Sequence, residues 1–169
     1  DKVGTKKNSL FKDQTGIKQD SIKNFCEKIT KAKESKISDD FLIIARIESF
    51  ILGKNIDDAI KRAESYSRAG ADAILIHSKE KNANQIFSFS KKFKKSKFFK
   101  PLVAVPSTYS KTYELELIQN GFKIVIYANH FLRAIHPAMI NVAKSILLNQ
   151  RSFETEKKIS SINKIISLI

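Results

Sequence analysis

The chain has 169 residues, of which 42% are hydrophobic and 12 are Phe, so it can form a domain with a substantial core and is not disordered. The net charge of +14 suggests a nucleic-acid partner, but 26 of the 31 basic residues are Lys, whereas phosphate and base recognition favours Arg, so we predict no such partner. No uninterrupted apolar run approaches the ~18 residues of a membrane span, and we predict no membrane association either.

Helical and strand-like patterns alternate along the chain after a polar segment, residues 1–19, which predicts a loop. Ser21 and Asn55 suit helix N-caps, and Gly70 and Gly121 suit helix ends. The predicted helices cover residues 21–35, 56–69, 82–95, 111–120, 130–149 and 154–168, and the predicted strands cover residues 41–47, 71–77, 101–105 and 122–127.

This alternation predicts an α/β fold with a parallel sheet. Four βα units are half of an eight-stranded barrel, and a half barrel leaves two open strand edges. We therefore expect four more strands before Asp1. The predicted organisation is one partial domain with a loop at 1–19, βα units at 20–149 and a C-terminal helix at 152–169, without the N-terminal half of the barrel.

Charged residues stand at the ends of the first two strands, where α/β proteins place their active sites. Arg46 and Glu48 leave the first strand on the same face, since side chains alternate along a strand. Arg46 could bind a carboxylate or a phosphoryl group, and Glu48 could orient Arg46 or transfer a proton. His77 ends the next strand and could donate to an anion. A structural ion pair and a satisfied core histidine are the alternatives.

Other polar residues suit supporting roles. Lys6, Asn8 and Ser9 lie in a loop between two glycines, which suits either a lid over an anionic substrate or an ordinary solvated loop. Ser107 and Asn129 follow the third and fourth strands and could be supporting residues, a turn or a helix cap. No residues have the spacing of metal ligands, so we predict no metal site within this chain. The single cysteine, Cys26, indicates a reducing compartment, and we predict a cytoplasmic protein.

Several motifs together resemble the phosphoenolpyruvate mutase family of the isocitrate lyase superfamily, nearly from end to end. They are Asp1-Lys2-Val3, Lys6-Lys7-Asn8-Ser9, Ile44-Ala45-Arg46-Ile47-Glu48-Ser49-Phe50, the segment 68–79 ending in His77-Ser78-Lys79, Val105-Pro106-Ser107, and the segment 126–134 with Tyr127-Ala128-Asn129-His130. The resemblance implies the C-terminal half of a modified (β/α)8 barrel with a terminal helix that is exchanged between subunits of a homodimer or homotetramer.

The resemblance also implies an activity, which is the interconversion of phosphoenolpyruvate and phosphonopyruvate by phosphoryl transfer, the first step of phosphonate biosynthesis. It implies a Mg²⁺ cofactor, whose ligands are expected before residue 1 together with the catalytic Asp, so this chain alone would be inactive. Lys6, Asn8 and Ser9 would form the gating loop, with Asn8 on the phosphoryl group, and Arg46 and His77 would bind the substrate and act in catalysis. Ser107 stands where the family usually has Thr.

Two alternatives remain at this point. Phosphonopyruvate hydrolase is related in chemistry, but the Lys-x-Asn-Ser loop and Tyr127-Ala128-Asn129-His130 favour the mutase. A truncated, non-catalytic member of the superfamily is the other alternative.

Overall fold

The chain divides into two units, residues 1–127 and residues 128–169, in the computed structural model. The structure describes residues 1–4 and 7–168. The single partial domain expected from the sequence stays a prediction.

The first unit alternates strands and helices after an N-terminal loop, as the sequence predicts. Its elements are β1 (Lys2–Val3), β2 (Lys18–Gln19), α1 (Ile22–Glu34), β3 (Ile44–Ile47), α2 (Ile56–Arg68), β4 (Ala73–Ile76), α3 (Asn84–Phe93), β5 (Leu102–Ala104), α4 (Glu114–Gln119) and β6 (Phe122–Val125).

The last four of these strands form one parallel sheet in the order β3-β4-β5-β6. Arg46 pairs with Leu75, and Val103 pairs with Ile124 after a register shift between β5 and β6. The predicted α/β class with four parallel strands is therefore confirmed.

The two faces of the sheet are different. On one face, alternate strand residues such as Ile47, Ile74 and Ile76 pack against all four helices in the main core. On the other face, a smaller cluster contains Leu75 and Val103. Because strand side chains alternate, Arg46, Glu48 and His77 belong to this second face.

The N-terminal segment differs from the predicted loop. Lys2 pairs with Gln19 and Val3 with Lys18 in an antiparallel ladder, so the two ends of the loop are fastened together. The first predicted strand is also shorter than residues 41–47, because it begins only at Ile44; Phe41 and Leu42 are exposed.

The helix ends agree with the residues that predicted them. The side chains of Ser21 and Asn55 accept hydrogen bonds from the backbone N–H groups of Asn24 and Asp58, both at 3.0 Å. Gly70 follows α2 with φ of +109°, a backbone conformation that side-chain-bearing residues rarely adopt.

The second unit contains a long helix, α5 (His130–Asn149), which continues through Pro137. By length and composition alone this 20-residue helix is apolar enough to cross a membrane, with a mean hydropathy of 1.2 over an 18-residue window. Arg133 and Lys144 interrupt the apolar runs of this helix but leave its mean hydropathy high, so the pattern of runs alone did not indicate such a segment.

The single C-terminal helix predicted at 154–168 is wrong. Two short helices replace it, α6 (Phe153–Glu156) and α7 (Ile162–Ile166). The Ser161 hydroxyl accepts a hydrogen bond from the Lys164 N–H (3.3 Å) and so caps a new helix. Serine side chains that bond to nearby backbone compete with helix continuation, which explains the break.

Candidate active site

A cavity of about 410 Å³ lies where the N-terminal loop meets the carboxyl end of β3. The loop supplies Asn8 and Ser9 to its wall, and the strand end supplies Arg46 and Glu48. A larger cavity of about 780 Å³ is lined by Gln19 and by the 51–54 turn. We place the site in the smaller cavity, because three of the predicted ligand-binding residues, Asn8, Ser9 and Arg46, line it; His77 is not among its lining residues.

The Arg46 guanidinium is fixed on two sides. Its Nε donates to Glu48 Oε1, and its Nη2 donates to the Ser9 hydroxyl at 2.9 Å. Nη1 has no hydrogen bond to any residue that the structure describes, and the side chain is 43% exposed. One edge of the guanidinium is therefore available to a ligand in the cavity, while the rest is already oriented.

Glu48 is buried and acts as a carboxylate. Burial alone would raise its pKa, but the charge of Arg46, the hydrogen bond from Ser9 (2.7 Å) and the charge of Lys2 (3.3 Å) together lower the pKa below its usual value. A carboxylate that stays ionised accepts hydrogen bonds instead of donating a proton. Of the two roles considered from the sequence, the geometry favours orienting Arg46.

His77 lies directly after β4, next to the end of β3. Its backbone N–H donates to the Ile47 carbonyl oxygen (3.4 Å), so the strand pairing continues to this residue. The ring is almost completely buried, and its Nδ1 has no hydrogen-bond partner among the described residues. Burial, with a smaller contribution from the positive charge of Arg46, lowers the pKa of His77 to about 4. The imidazole is therefore neutral near pH 7.

Because the pKa of His77 is lower in the folded chain than in the unfolded chain, the free energy of unfolding should depend on pH. The unfolded chain takes up a proton on His77 near pH 6.5, whereas the folded chain does so only near pH 4. The stability from this group is complete above pH 6.5 and is lost as the pH falls towards 4. Between pH 7 and 5 we expect the free energy of unfolding to fall by about 2 kcal/mol because of His77.

Urea denaturation at several pH values measures this loss, and the matched variant is His77→Gln, which cannot titrate. The free energy of unfolding of the variant should depend less on pH between 7 and 5 than that of the unaltered protein. Identical slopes in the two proteins would contradict the buried, neutral state of His77.

The loop residues take different positions. Ser9 is buried, and its hydroxyl accepts from Lys2 Nζ and Arg46 Nη2 (both 2.9 Å) while it donates to Glu48. Asn8 is exposed, and its Oδ1 accepts from the Leu10 N–H (2.9 Å). Lys6 lies outside the described residues. The structure thus brings Asn8 and Ser9 to the cavity, and the role of Lys6 stays a prediction.

The two other supporting candidates do not line this cavity. Ser107 follows β5, where its backbone N–H donates to the Val105 carbonyl oxygen (2.8 Å). Asn129 precedes α5 in the second unit, and its carbonyl oxygen accepts from the Arg133 N–H (3.0 Å). Their functional roles stay predictions.

Several residues near the site were not found by sequence reasoning. Lys2 contacts both Ser9 and Glu48, and the Asp1 carboxylate accepts the Glu48 N–H at 2.9 Å. Arg62 and Tyr66 also contact Asp1. A signal was present for Arg62, because a cationic residue stands within the otherwise apolar face of α2.

The described residues do not form a metal site. No three His, Cys, Asp or Glu side chains among them lie close enough to hold an ion. The carboxylates nearest the cavity are occupied, since Asp1 accepts from four groups and Glu48 accepts from Arg46, Lys2 and Ser9. A metal-dependent step therefore cannot be assigned to these side chains.

Comparison with known proteins shows similarity over most of the chain. Residues 4–147 match the family model "Phosphoenolpyruvate phosphomutase". The chain is 35% identical to a phosphoenolpyruvate phosphomutase of Tetrahymena pyriformis over 168 residues, which are 99% of this chain and 55% of the relative.

Solved structures agree with this. The crystal structure of a phosphoenolpyruvate phosphomutase from Streptomyces platensis subsp. rosaceus has a TM-score of 0.87 at 36% identity, covering 96% of this chain and 55% of that protein. A phosphonopyruvate hydrolase in complex with oxalate and Mg²⁺ has a TM-score of 0.79 at 36% identity, with 88% and 52% covered. The chain therefore spans about half the length of the relatives it matches.

Proposed function

The chain belongs to the phosphoenolpyruvate phosphomutase family, and from this membership we propose that the protein containing it interconverts phosphoenolpyruvate and phosphonopyruvate. The phosphoryl group moves between the enol oxygen and the methylene carbon of pyruvate. This would be the first step in the biosynthesis of compounds with a C–P bond.

One observation carries the proposal most directly. Arg46 and His77 leave neighbouring parallel strands on the same sheet face, at the carboxyl ends where α/β folds bind ligands. Arg46 Nη1 and His77 Nδ1 have no hydrogen-bond partner among the described residues. A fixed cation beside a neutral imidazole suits a small, doubly anionic ligand.

Arg46 has the role of binding the transferring phosphoryl group. Transfer of a phosphoryl group passes through a loose, metaphosphate-like state whose charge lies on the peripheral oxygens. Because Glu48 and Ser9 already orient the guanidinium, little reorganisation is needed when this charge develops. Nη1, which has no hydrogen bond to a described residue, is the atom we expect to bond to the ligand.

His77 has the role of stabilising the pyruvate enolate. A neutral imidazole has one N–H donor and one acceptor nitrogen, so it can donate a hydrogen bond without adding a second full charge beside Arg46. Its burial also excludes water from this side of the ligand, which protects a reactive intermediate from hydrolysis.

The remaining machinery is expected outside this chain. The family resemblance implies that the catalytic Asp and the Mg²⁺-binding carboxylates precede residue 1, and we therefore propose that residues 1–169 alone are inactive. Activity is therefore measured in a protein of the relatives' length that contains this chain, called the full-length protein below.

The test of the function is to incubate the full-length protein with phosphonopyruvate and Mg²⁺ and to follow the reaction by ³¹P NMR. The proposal expects the signal of phosphoenolpyruvate. Pyruvate with inorganic phosphate would instead establish the hydrolase, in which water cleaves the C–P bond; the hydrolase relative is as similar in identity as the phosphomutases. If neither product forms, both activities are rejected and a non-catalytic member of the family is supported.

Replacing Asn8 with alanine is expected to slow phosphoryl transfer by about 10- to 100-fold. Asn8 Nδ2 has no hydrogen bond to a described residue, so it is free to donate to a phosphoryl oxygen, and a hydrogen bond to a charged group contributes about 1.5–3 kcal/mol. Single-turnover kinetics measure the effect. The control is Lys12→Ala, an exposed change in the same loop, and equal rates in both variants would remove Asn8 from the site.

We also propose a cytoplasmic homo-oligomer, a dimer or tetramer in which the C-terminal helices are exchanged, without a nucleic-acid or membrane partner. Large apolar side chains of α5, including Phe131, Leu132 and Leu148, are exposed and need a cover. Analytical ultracentrifugation of the full-length protein tests this, since a monomer would contradict it.

A further inference from the structure

Asp1 belongs to the wall of the candidate cavity, and its carboxylate has no solvent exposure. The Asp1 side chain is 0% exposed, and three side chains donate to its Oδ2: the Tyr66 hydroxyl at 2.7 Å, Gln19 Nε2 at 3.0 Å and Arg62 Nη1 at 3.3 Å. A buried charge requires such partners. None of these contacts belongs to the ligand-binding roles described above.

The same residue fastens the segment that carries Arg46. Asp1 Oδ1 accepts the Glu48 N–H (2.9 Å), and the backbone nitrogen of Asp1 donates to the Arg46 carbonyl oxygen (2.9 Å). One buried residue therefore holds the backbone on both sides of Ile47. A shift of Asp1 would move the two residues whose side chains pair at the cavity.

Helix α2 supplies the groups that hold Asp1. Arg62 and Tyr66 are one turn apart and face the same direction. Arg62 is anchored by the Asp58 carboxylate (3.0 Å), by the Asp20 carbonyl oxygen (2.9 Å) and by the Tyr66 hydroxyl (2.8 Å). Burial raises the pKa of Tyr66 to about 12, so its hydroxyl remains a donor to Asp1 at neutral pH.

We propose that Arg62 and Tyr66 are positioning residues, which fix Arg46 and Glu48 through the Asp1 carboxylate. A buried ion pair often adds little stability compared with apolar residues of the same volume, so stability alone does not account for this network. Its placement against the Arg46–Glu48 segment does. The effect on turnover rests on the proposed function, whereas the effect on the Arg46 side chain does not.

The test compares two buried tyrosines. Tyr66→Phe removes the hydroxyl that contacts Asp1. Tyr109→Phe removes an equally buried hydroxyl, which accepts the Val105 N–H (3.2 Å) at the end of β5, two strands away from Arg46. In the full-length protein we expect the two variants to lose a similar amount of melting temperature. Only Tyr66→Phe should have a roughly tenfold lower kcat, because small misplacements of catalytic groups slow the reaction. Tyr109→Phe should retain kcat within about twofold.

NMR of the Arg46 Nε–H group separates this inference from the proposed function. This proton is hydrogen-bonded to Glu48, so its chemical shift and its exchange rate with water should change in Tyr66→Phe and not in Tyr109→Phe. An unchanged Arg46 signal in Tyr66→Phe would overturn the positioning role even if turnover fell. Absence of turnover in the unaltered protein would overturn the proposed function. The NMR comparison would still decide whether Tyr66 positions Arg46.

Discussion

Replacing Arg46 with alanine is expected to lower kcat/KM for phosphonopyruvate by about 10²–10³-fold in the full-length protein. The variant loses a preorganised charge that meets the developing negative charge of the transferring group, and losing one such donor costs about 3–4 kcal/mol in the transition state. Steady-state kinetics with coupled detection of the product measure the change.

Two further variants show whether the loss belongs to the guanidinium at this place. Arg46→Lys keeps the positive charge but loses the fork that bonds Glu48 and Ser9 at once, so it should recover only part of the activity. Arg68→Ala makes the same change at an exposed site, where the guanidinium lies over the Phe98 ring, and should retain activity. Near-normal turnover of Arg46→Ala would remove Arg46 from the reaction.

Replacing Glu48 with alanine is expected to lower the free energy of unfolding by about 3 kcal/mol. Glu48 is 3% exposed and balances the charges of Lys2 and Arg46. Removing one partner of a buried ion pair leaves the others uncompensated, which costs about 3–5 kcal/mol; Arg46 is partly exposed, so the lower end of that range applies. Urea denaturation followed by circular dichroism measures the loss.

Glu27→Ala is the matched control for this change. Glu27 is exposed on α1, so its removal should change stability by less than about 0.5 kcal/mol. Glu48→Gln keeps the shape of the side chain without its charge and should lie between the two. If Glu48→Ala were as stable as Glu27→Ala, the contacts of Glu48 with Lys2, Ser9 and Arg46 would not stabilise the fold.

Much of the fold could be predicted because its signals are local. Gly70 and Asn55 mark the ends of α2, and the apolar strands before Glu48 and His77 indicated a parallel sheet. The prediction of one C-terminal helix was wrong because the break lies at Ser161, and serine is a weaker signal of a helix end than glycine or proline. The short ladder between β1 and β2 was missed because two residues carry no periodicity.

The site was only partly predictable. The positions of Arg46, Glu48 and His77 follow from strand alternation, which the sequence carries directly. The contact between Tyr66 and Asp1 joins residues 65 positions apart, and Arg62 reaches Asp1 across a similar separation. No periodic pattern specifies such pairs, because they form only when the chain folds around them.

Arg46 and His77 are proposed to bind the same small anionic ligand. A crystal structure of the full-length protein with Mg²⁺ and oxalate, the ligands present in the related hydrolase structure, tests this most directly. We expect one oxalate within hydrogen-bond distance, about 3.2 Å, of both an Arg46 guanidinium nitrogen and a His77 ring nitrogen. An oxalate that contacts only one of the two residues, or binds in another cavity, would contradict it.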